Sequence, residues 1–424
     1  MTGTINVKFR LILMNFLQFF IWGSWLITIG AYWFQNMHWS GAGFGAIFST
    51  MGISSLFMPS LAGIVADRFI NAEKMYGILH ILAGISLCWL PQVKDPDIFF
   101  WVLLLAMLFY MPTIALAITI SYSILKGNGY DVVKTYPPVR VWGTIGFIAA
   151  LWTISLSHNE VSQNQFYIAA AVSGLLGIYA FTLPQCPPLA KSQDNRRSFV
   201  GIFGLEAFGL FKNRRFAVFF IFSMLLGAAL QLTNAYGDTY LQDFRNVDAY
   251  KNLLTVRYPA IIMSVSQVSE TLFILSIPFF LKKCGIKIVM VLSMLAWVLR
   301  FGLFAFADPA DRVWMILLSC IVYGMAFDFF NISGSLFIGT HTKAKIRGSA
   351  QGLFMMMVNG FGAILGNLFS GIIIQTYFTF KNNGRNWHGI WLSFACYSLI
   401  LAIVFFFVFD EKGRPVASGE IALH

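Results

Sequence analysis

The sequence predicts an all-α membrane protein with 12 transmembrane helices, and three observations support this prediction. Of the 424 residues, 58% are apolar and only 11% are charged. A soluble protein carries about 25% charged residues, so water cannot solvate most of this surface. A membrane helix needs roughly 20 apolar residues, which gives a chain of this length room for about a dozen. The apolar runs also lack the alternation that a transmembrane β-barrel requires.

Long apolar segments between short polar breaks give the position of each helix. The expected spans cover residues 10–34, 41–66, 75–93, 98–124, 138–157, 164–184, 214–241, 257–281, 286–307, 313–338, 346–377 and 387–409. Several exceed the minimum length, which is typical of tilted helices.

Basic residues are distributed unevenly between the two sides of these spans. Twenty Lys and Arg residues fall on the side that holds both termini, and seven fall on the other. Because basic residues gather in cytoplasmic loops, both termini are expected in the cytoplasm. The net charge of +11 is then a consequence of topology, and no nucleic-acid partner is expected.

The longest cytoplasmic connection lies near the middle of the chain. It divides the chain into an N-terminal six-helix bundle (1–184), a linker (185–213) and a C-terminal six-helix bundle with a short tail (214–424). Within the linker, the apolar stretch Phe199–Phe211 is followed by basic residues, which predicts a helix lying in the membrane interface. Six helices on each side of a central loop is the layout of the major facilitator superfamily fold.

A local motif at the end of the second span agrees with this layout. The segment GIVADRF, with Gly63, Asp67 and Arg68, resembles the GxxxDR motif of that superfamily. We interpret Asp67 and Arg68 as structural or gating residues. The alternative is that they merely end a helix at the interface.

Several classes of membrane protein lack support in the sequence. It contains no phosphate-binding loop of a nucleotide-driven pump and no HExxH metal motif. The five cysteines are scattered, without the spacing of a metal site. We therefore expect no metal and no cofactor. The classes that remain are a secondary carrier, a facilitator or channel, and a membrane enzyme without a recognised motif.

Few ionisable residues lie well inside the predicted spans, and these are Arg140, Glu270, Arg300, Asp328 and, near a span's end, His80. Each costs about 2.5–3.5 kcal/mol at the bilayer centre, so a functional reason is expected. Burial disfavours the charged form of a carboxylate, so Glu270 or Asp328 can bind and release a proton. Alternatively, Arg140 or Arg300 neutralises one of them. His80 is expected to pack between helices.

Polar and aromatic residues share helix faces with these groups at spacings of three, four or seven residues. The resulting candidate binding residues are Arg140, Thr144, Phe147, Gln231, Asn234, Gln267, Glu270, Tyr323, Phe327 and Asp328. Amides supply both donors and acceptors, and aromatic rings supply a stacking face. This set suits a neutral, flat, hydroxylated solute. The alternative is that these side chains only hold helices together.

Longer motifs identify a family. The segments PPVRVWGTIGF, FLQFFIWGSWL, YMPTIALAITISY, FFIFSMLLGAALQLTN, SQVSETLFILSIPFF and YGMAFDFFNISGS resemble the nucleoside:H+ symporter family of the major facilitator superfamily, over about residues 8–410. The resemblance implies proton-driven import of purine and pyrimidine nucleosides across the bacterial inner membrane, with nucleoside, protons and lipid as partners and a monomer as the working unit.

The resemblance also assigns roles to the candidate residues. Phe147, Tyr323 and Phe327 are expected to enclose the base. Arg140, Gln231 and Asn234 are expected to contact its edge, and Gln267 with Glu270 to hold the ribose. Asp328 and Glu270 are the proton-coupling candidates. Two other interpretations remain open, namely a proton-linked porter for a sugar or glycoside, and a receptor or enzyme without transport.

Overall fold

The computed structural model describes residues 2–188, 205–342, 344–380 and 384–410. Within these ranges the chain is helical, and its only strand-like feature is an isolated bridge between Thr379 and Arg385. The helices pack into two compact units. The described part of the first comprises residues 2–39 and 50–188, and that of the second comprises residues 40–49 and the described residues from 205 onward.

The first unit contains the N-terminal helices, of which α3 has its first residues in the second unit. They are α1 (Thr2–Gly23), α2 (Ile29–Ala31, continued by a π turn at Tyr32–Asn36), α3 (Gly41–Arg68), α4 (Ala72–Trp89), α5 (Pro96–Gly127), α6 (Val132–Leu156) and α7 (Asn164–Ala180). Helix α1 packs on α6, and α4 packs on α5 and α7. Glycine permits the close packing of α1 on α6, because a Cβ on Gly23 would lie 2.6 Å from the carbonyl oxygen of Phe147.

The second unit contains the remaining helices. They are α8 (Arg214–Asp243), the short α9 (Leu254–Arg257), α10 (Pro259–Phe306), α11 (Val313–His341), α12 (Ala344–Met355), α13 (Gly362–Ile373) and α14 (Trp387–Val408), with π turns at Met356–Phe361 and Ile374–Phe378. Helix α10 packs along α11 and α14, while α8 packs on α13. The 48-residue α10 breaks at Gly285, where φ is +76°, a value that glycine adopts without strain.

The described helices follow the predicted spans in order once α10 is divided at Gly285. By length and composition, nine helices in the described ranges are apolar enough to cross a membrane, with α10 counted as one. Helix α7 has only 17 residues. Residues 205–212 of the linker form a 3₁₀ helix, whereas the rest of the predicted interfacial helix lies outside the described residues.

Candidate functional site

Two carboxyl groups and two aromatic rings meet where α10 and α11 pack together. Tyr323 and Phe327 lie one turn apart on α11 with their rings nearly parallel, at an interplanar angle of 3° and a centroid distance of 5.8 Å. Asp328 follows them, is only 4% exposed, and has its Oδ2 atom without a hydrogen-bond partner among the described residues. Glu270 of α10 interacts electrostatically with both Asp328 and Tyr323. The structure therefore brings together four of the residues that the sequence selected.

A glycine makes this contact possible. A Cβ on Gly324 would lie 2.6 Å from the backbone carbonyl of Ser269 and 2.8 Å from the backbone nitrogen of Glu270, so α11 touches the α10 backbone here. The Ser269 hydroxyl also donates a hydrogen bond to the carbonyl oxygen of Ile321. The backbone packing thus sets the position of Glu270 against Tyr323.

Arg300 of α10 also contacts Tyr323. Its side chain is fully buried, and its guanidinium carbon lies 4.6 Å from the centre of the Tyr323 ring, a cation–π distance. Its Nη1 donates to the carbonyl oxygen of Ser319 at 2.7 Å, and its Nε donates to Thr233 of α8 at 3.3 Å. Among the described residues no carboxylate lies within ion-pair distance of Arg300, and its guanidinium contacts the Tyr323 ring instead.

Helix α8 carries two of the three amide candidates of the second unit. Gln231 is buried, and its Oε1 atom has no hydrogen-bond partner among the described residues. Asn234 is half-buried one turn further along the helix. Gln267 is half-buried on α10, one turn before Glu270. A buried amide oxygen without a partner is costly, so Gln231 is suited to accept a hydrogen bond from a bound solute.

In the first unit, Arg140 lies against an aromatic ring of α1. Its guanidinium carbon is 4.0 Å from the centre of the Phe19 ring. Gly143 provides the necessary room, because a Cβ there would lie 2.6 Å from Nη1 of Arg140 and 2.7 Å from Phe19. Thr144 is half-buried and Phe147 is buried, at the i+4 and i+7 positions from Arg140. The three residues therefore share a helix face, as the sequence predicts.

A buried hydrogen-bond network beside Arg140 was not predicted from the sequence. Gln18 is its centre, since its Oε1 accepts from the Tyr76 hydroxyl at 2.6 Å and lies 2.8 Å from Nε2 of His80, while its Nε2 donates to Thr113 at 2.9 Å. The Tyr110 hydroxyl donates to the backbone oxygen of Gln18. These residues come from α1, α4 and α5, so only their polarity within apolar segments signals them in the sequence. His80 is packed between helices.

Two remaining expectations concern gating and metals. The side chains of Asp67 and Arg68 lie outside the described residues. Within the described part of the chain, no group of three or more His, Cys, Asp or Glu side chains is arranged to hold a metal ion.

Comparison with known proteins identifies relatives over nearly the full length. A family model described as nucleoside H+ symporter matches residues 5–414. The nucleoside permease NupG of Escherichia coli is 49% identical over 416 residues, which is 98% of this chain and 99% of the permease. The xanthosine permease of the same organism is 49% identical over 412 residues, or 97% of this chain and 98% of that one.

The structural comparison leads to the same group. A crystal structure of NupG superimposes with a TM-score of 0.90 and 50% identity, and the match covers 96% of this chain and all of that one. The fold is that of the major facilitator superfamily, and the protein is a multi-pass inner-membrane transporter rather than an enzyme. A family model that spans almost the whole sequence, together with relatives of about half identity, places the chain in the nucleoside H+ symporter family.

Proposed function

We propose that this protein imports purine and pyrimidine nucleosides together with protons, by alternating access, and that the acid pair Glu270 and Asp328 carries the coupling. Asp328 supplies the observation on which this rests. It is almost fully buried, one of its oxygens has no hydrogen-bond partner among the described residues, and Glu270 is near enough to interact with it electrostatically.

Two neighbouring carboxyl groups cannot both be ionised cheaply in a buried environment, so the pair is suited to hold one proton. Binding a proton removes the repulsion between them, and losing it restores the repulsion. A solute that donates hydrogen bonds to Glu270 would stabilise its charged form and favour the proton on Asp328. This links the occupancy of the proton site to that of the solute site.

The binding roles follow the chemistry of each side chain. In the second unit, Tyr323 and Phe327 offer ring faces to a base, Gln231 and Asn234 offer amides to its edge, and Gln267 with Glu270 accept from ribose hydroxyls. In the first unit, Phe147 offers a further ring, while Arg140 and Thr144 offer hydrogen-bond donors. The Arg300 guanidinium lies 4.6 Å from the centre of the Tyr323 ring, and this contact is proposed to restrict the orientation of the ring.

The organisation that we propose has an N-terminal bundle at 1–184, a cytoplasmic linker at 185–213 and a C-terminal bundle with its tail at 214–424. Both termini are placed in the cytoplasm, since 20 basic residues share their side of the membrane. Asp67 and Arg68 then lie at the cytoplasmic end of α3 as gating residues. The monomer is proposed as the working unit.

The test is uptake of labelled uridine and labelled inosine into proteoliposomes of the purified protein. We expect both to accumulate above the external concentration when the pH gradient drives protons inward, and only to equilibrate without it. Excess unlabelled nucleoside should compete, whereas sugars should not. Accumulation without any dependence on the proton gradient would refute coupling, and competition by sugars but not by nucleosides would indicate a glycoside porter.

A further inference from the structure

Phe19 of α1 has no role in the function described above, although its ring touches a residue that does. The ring centre lies 4.0 Å from the guanidinium carbon of Arg140 on α6. A cation is attracted to a ring face within about 6 Å, so this contact is well inside the range. Only 9% of Phe19 is exposed. With so little exposed surface, the ring has Arg140 rather than a solute as its partner.

The backbone of α6 leaves a space into which this ring fits. A Cβ on Gly143, one turn after Arg140, would lie 2.7 Å from Cδ2 and 3.2 Å from Cε2 of Phe19. It would also lie 2.6 Å from Nη1 of Arg140. Glycine at this position thus lets the ring and the guanidinium meet at the surface of the helix. A movement of α1 that displaces the ring would therefore also change what the guanidinium contacts.

Backbone contacts before and after Phe19 hold α1 against α6. A Cβ on Gly146 would overlap the carbonyl oxygen of Phe16, and a Cβ on Gly23 would lie 2.6 Å from that of Phe147. Phe16, Phe19 and Gly23 recur at spacings of three and four residues, so they share the face of α1 that packs on α6. These contacts fix the distance between the two helices, but they do not by themselves prevent α1 from rotating about its axis.

Gln18 supplies the contacts that oppose this rotation. Successive residues of a helix point about 100° apart, so Gln18 faces α4 and α5 while Phe19 faces α6. The buried side chain of Gln18 accepts a hydrogen bond from the Tyr76 hydroxyl at 2.6 Å and donates one to Thr113 at 2.9 Å. Its backbone oxygen accepts from the Tyr110 hydroxyl at 2.6 Å. Turning α1 would break these bonds and leave buried polar groups unpaired, which is costly.

We propose that Phe19 is a positioning residue for Arg140 and that the hydrogen bonds of Gln18 hold Phe19 in place, so that the guanidinium is oriented before a nucleoside arrives. An Arg side chain has many rotamers, and restricting them beforehand lowers the entropic cost of binding. The inference rests on the proposed nucleoside import, in which Arg140 contacts the solute. It adds two residues of α1 that contact no solute themselves but determine how tightly the solute binds.

The experiment measures the KM and the maximal rate of uridine uptake in proteoliposomes. Phe19→Leu keeps an apolar side chain but removes the ring face, so we expect the KM to rise by about 2- to 30-fold, the range that corresponds to a cation–π contact. Phe19→Tyr keeps the ring and should have a KM near that of the unaltered protein. Gradient-driven accumulation should persist in both variants, because the acid pair lies in the second unit. The matched control is Phe20→Leu, the same change at the next residue, whose ring packs on Phe16, and it should leave the KM unchanged.

A double-mutant cycle tests the role of Gln18. Gln18→Leu should raise the KM on its own but add little to the KM of Phe19→Leu, because both changes release the same guanidinium. Tyr110→Phe, which removes a single donor to the Gln18 backbone, takes its place in the cycle if Gln18→Leu does not fold. An unchanged KM in Phe19→Leu, or an equal rise in Phe20→Leu, would overturn the proposal, and independent effects in the cycle would overturn the role of Gln18. Failure of nucleoside import itself gives a different result, because the unaltered protein would then accumulate no uridine.

Discussion

Gly324→Ala tests whether backbone contact between α10 and α11 sets the geometry of the binding residues. The added Cβ would lie 2.6 Å from the backbone carbonyl of Ser269, whereas ordinary van der Waals contact begins at 3.4 Å. The opposing atoms are backbone, so no side chain can rotate away. The two helices must therefore separate by about 0.8 Å, the difference between these distances.

This separation has a predictable magnitude. Overpacking of a well-packed contact costs about 1–3 kcal/mol. Because Tyr323 and Glu270 lie on either side of the contact, we expect part of that cost to appear as weaker solute binding. If the whole 1–3 kcal/mol appeared as weaker binding, the affinity for uridine would fall by roughly 5- to 150-fold, since each 1.4 kcal/mol corresponds to a factor of ten.

The assay is the concentration dependence of uridine uptake, together with thermal unfolding of the purified protein in detergent. Gly339→Ala is the matched control, because it lies on the same helix and its added Cβ meets nothing within 4 Å. That variant should transport normally. Wild-type affinity and unfolding temperature in Gly324→Ala would refute the reasoning, as would equal effects of the two substitutions.

Three further predictions concern other contacts. Arg300→Lys removes the planar group beside Tyr323 but keeps the charge, so it should raise the KM for uridine severalfold while leaving gradient-driven accumulation intact. Loss of accumulation with an unchanged KM would contradict the role of Arg300 in positioning Tyr323. Tyr76→Phe removes one donor to Gln18 and should lower stability by about 1 kcal/mol, with uptake retained; an unchanged unfolding temperature would exclude a net contribution from that hydrogen bond. Partial burial raises the pKa of Asp308, but the backbone N–H groups of Asp311 and Ala310 and the Tyr250 hydroxyl together hold that pKa below its ordinary value. The ionised Asp308 therefore stabilises the fold at pH values above its unfolded-state pKa. This stabilisation is lost as the pH falls through the folded-state pKa. Tyr250→Phe should therefore lower the unfolding temperature at neutral pH, with the difference from wild type shrinking in acid, and a difference that grows in acid would contradict this sign.

The sequence predicted the spans well because the physical signal for a membrane helix is local. Runs of apolar residues locate α8, α11 and α14 to within a few residues. The break between the predicted spans 257–281 and 286–307 corresponds to Gly285, whose positive φ interrupts an otherwise continuous helix. Helical spacing also grouped Arg140 with Phe147, and Tyr323 with Phe327, because residues on one face of one helix need no tertiary information.

Contacts between helices could not be predicted from the sequence, because they depend on which helix faces pack against each other in the fold. Nothing in the spacing of Gln18 and His80 indicates that they are hydrogen-bonded across α1 and α4. The sequence suggested that Arg300 could neutralise a carboxylate, and it gave no sign that the guanidinium lies over the Tyr323 ring. The same is true of Gly324, where the absence of a side chain matters only because Ser269 lies opposite.

The most direct test of the proton-coupling claim is Asp328→Asn, an isosteric change that removes the proton site and keeps the packing. Uridine counterflow, which requires solute exchange but no net proton movement, should continue in proteoliposomes. Accumulation driven by an inward proton gradient should be abolished, and a Glu270→Gln variant should separately weaken uridine binding. Gradient-driven accumulation at the wild-type level in both variants would contradict the claim that this acid pair couples protons to nucleoside import.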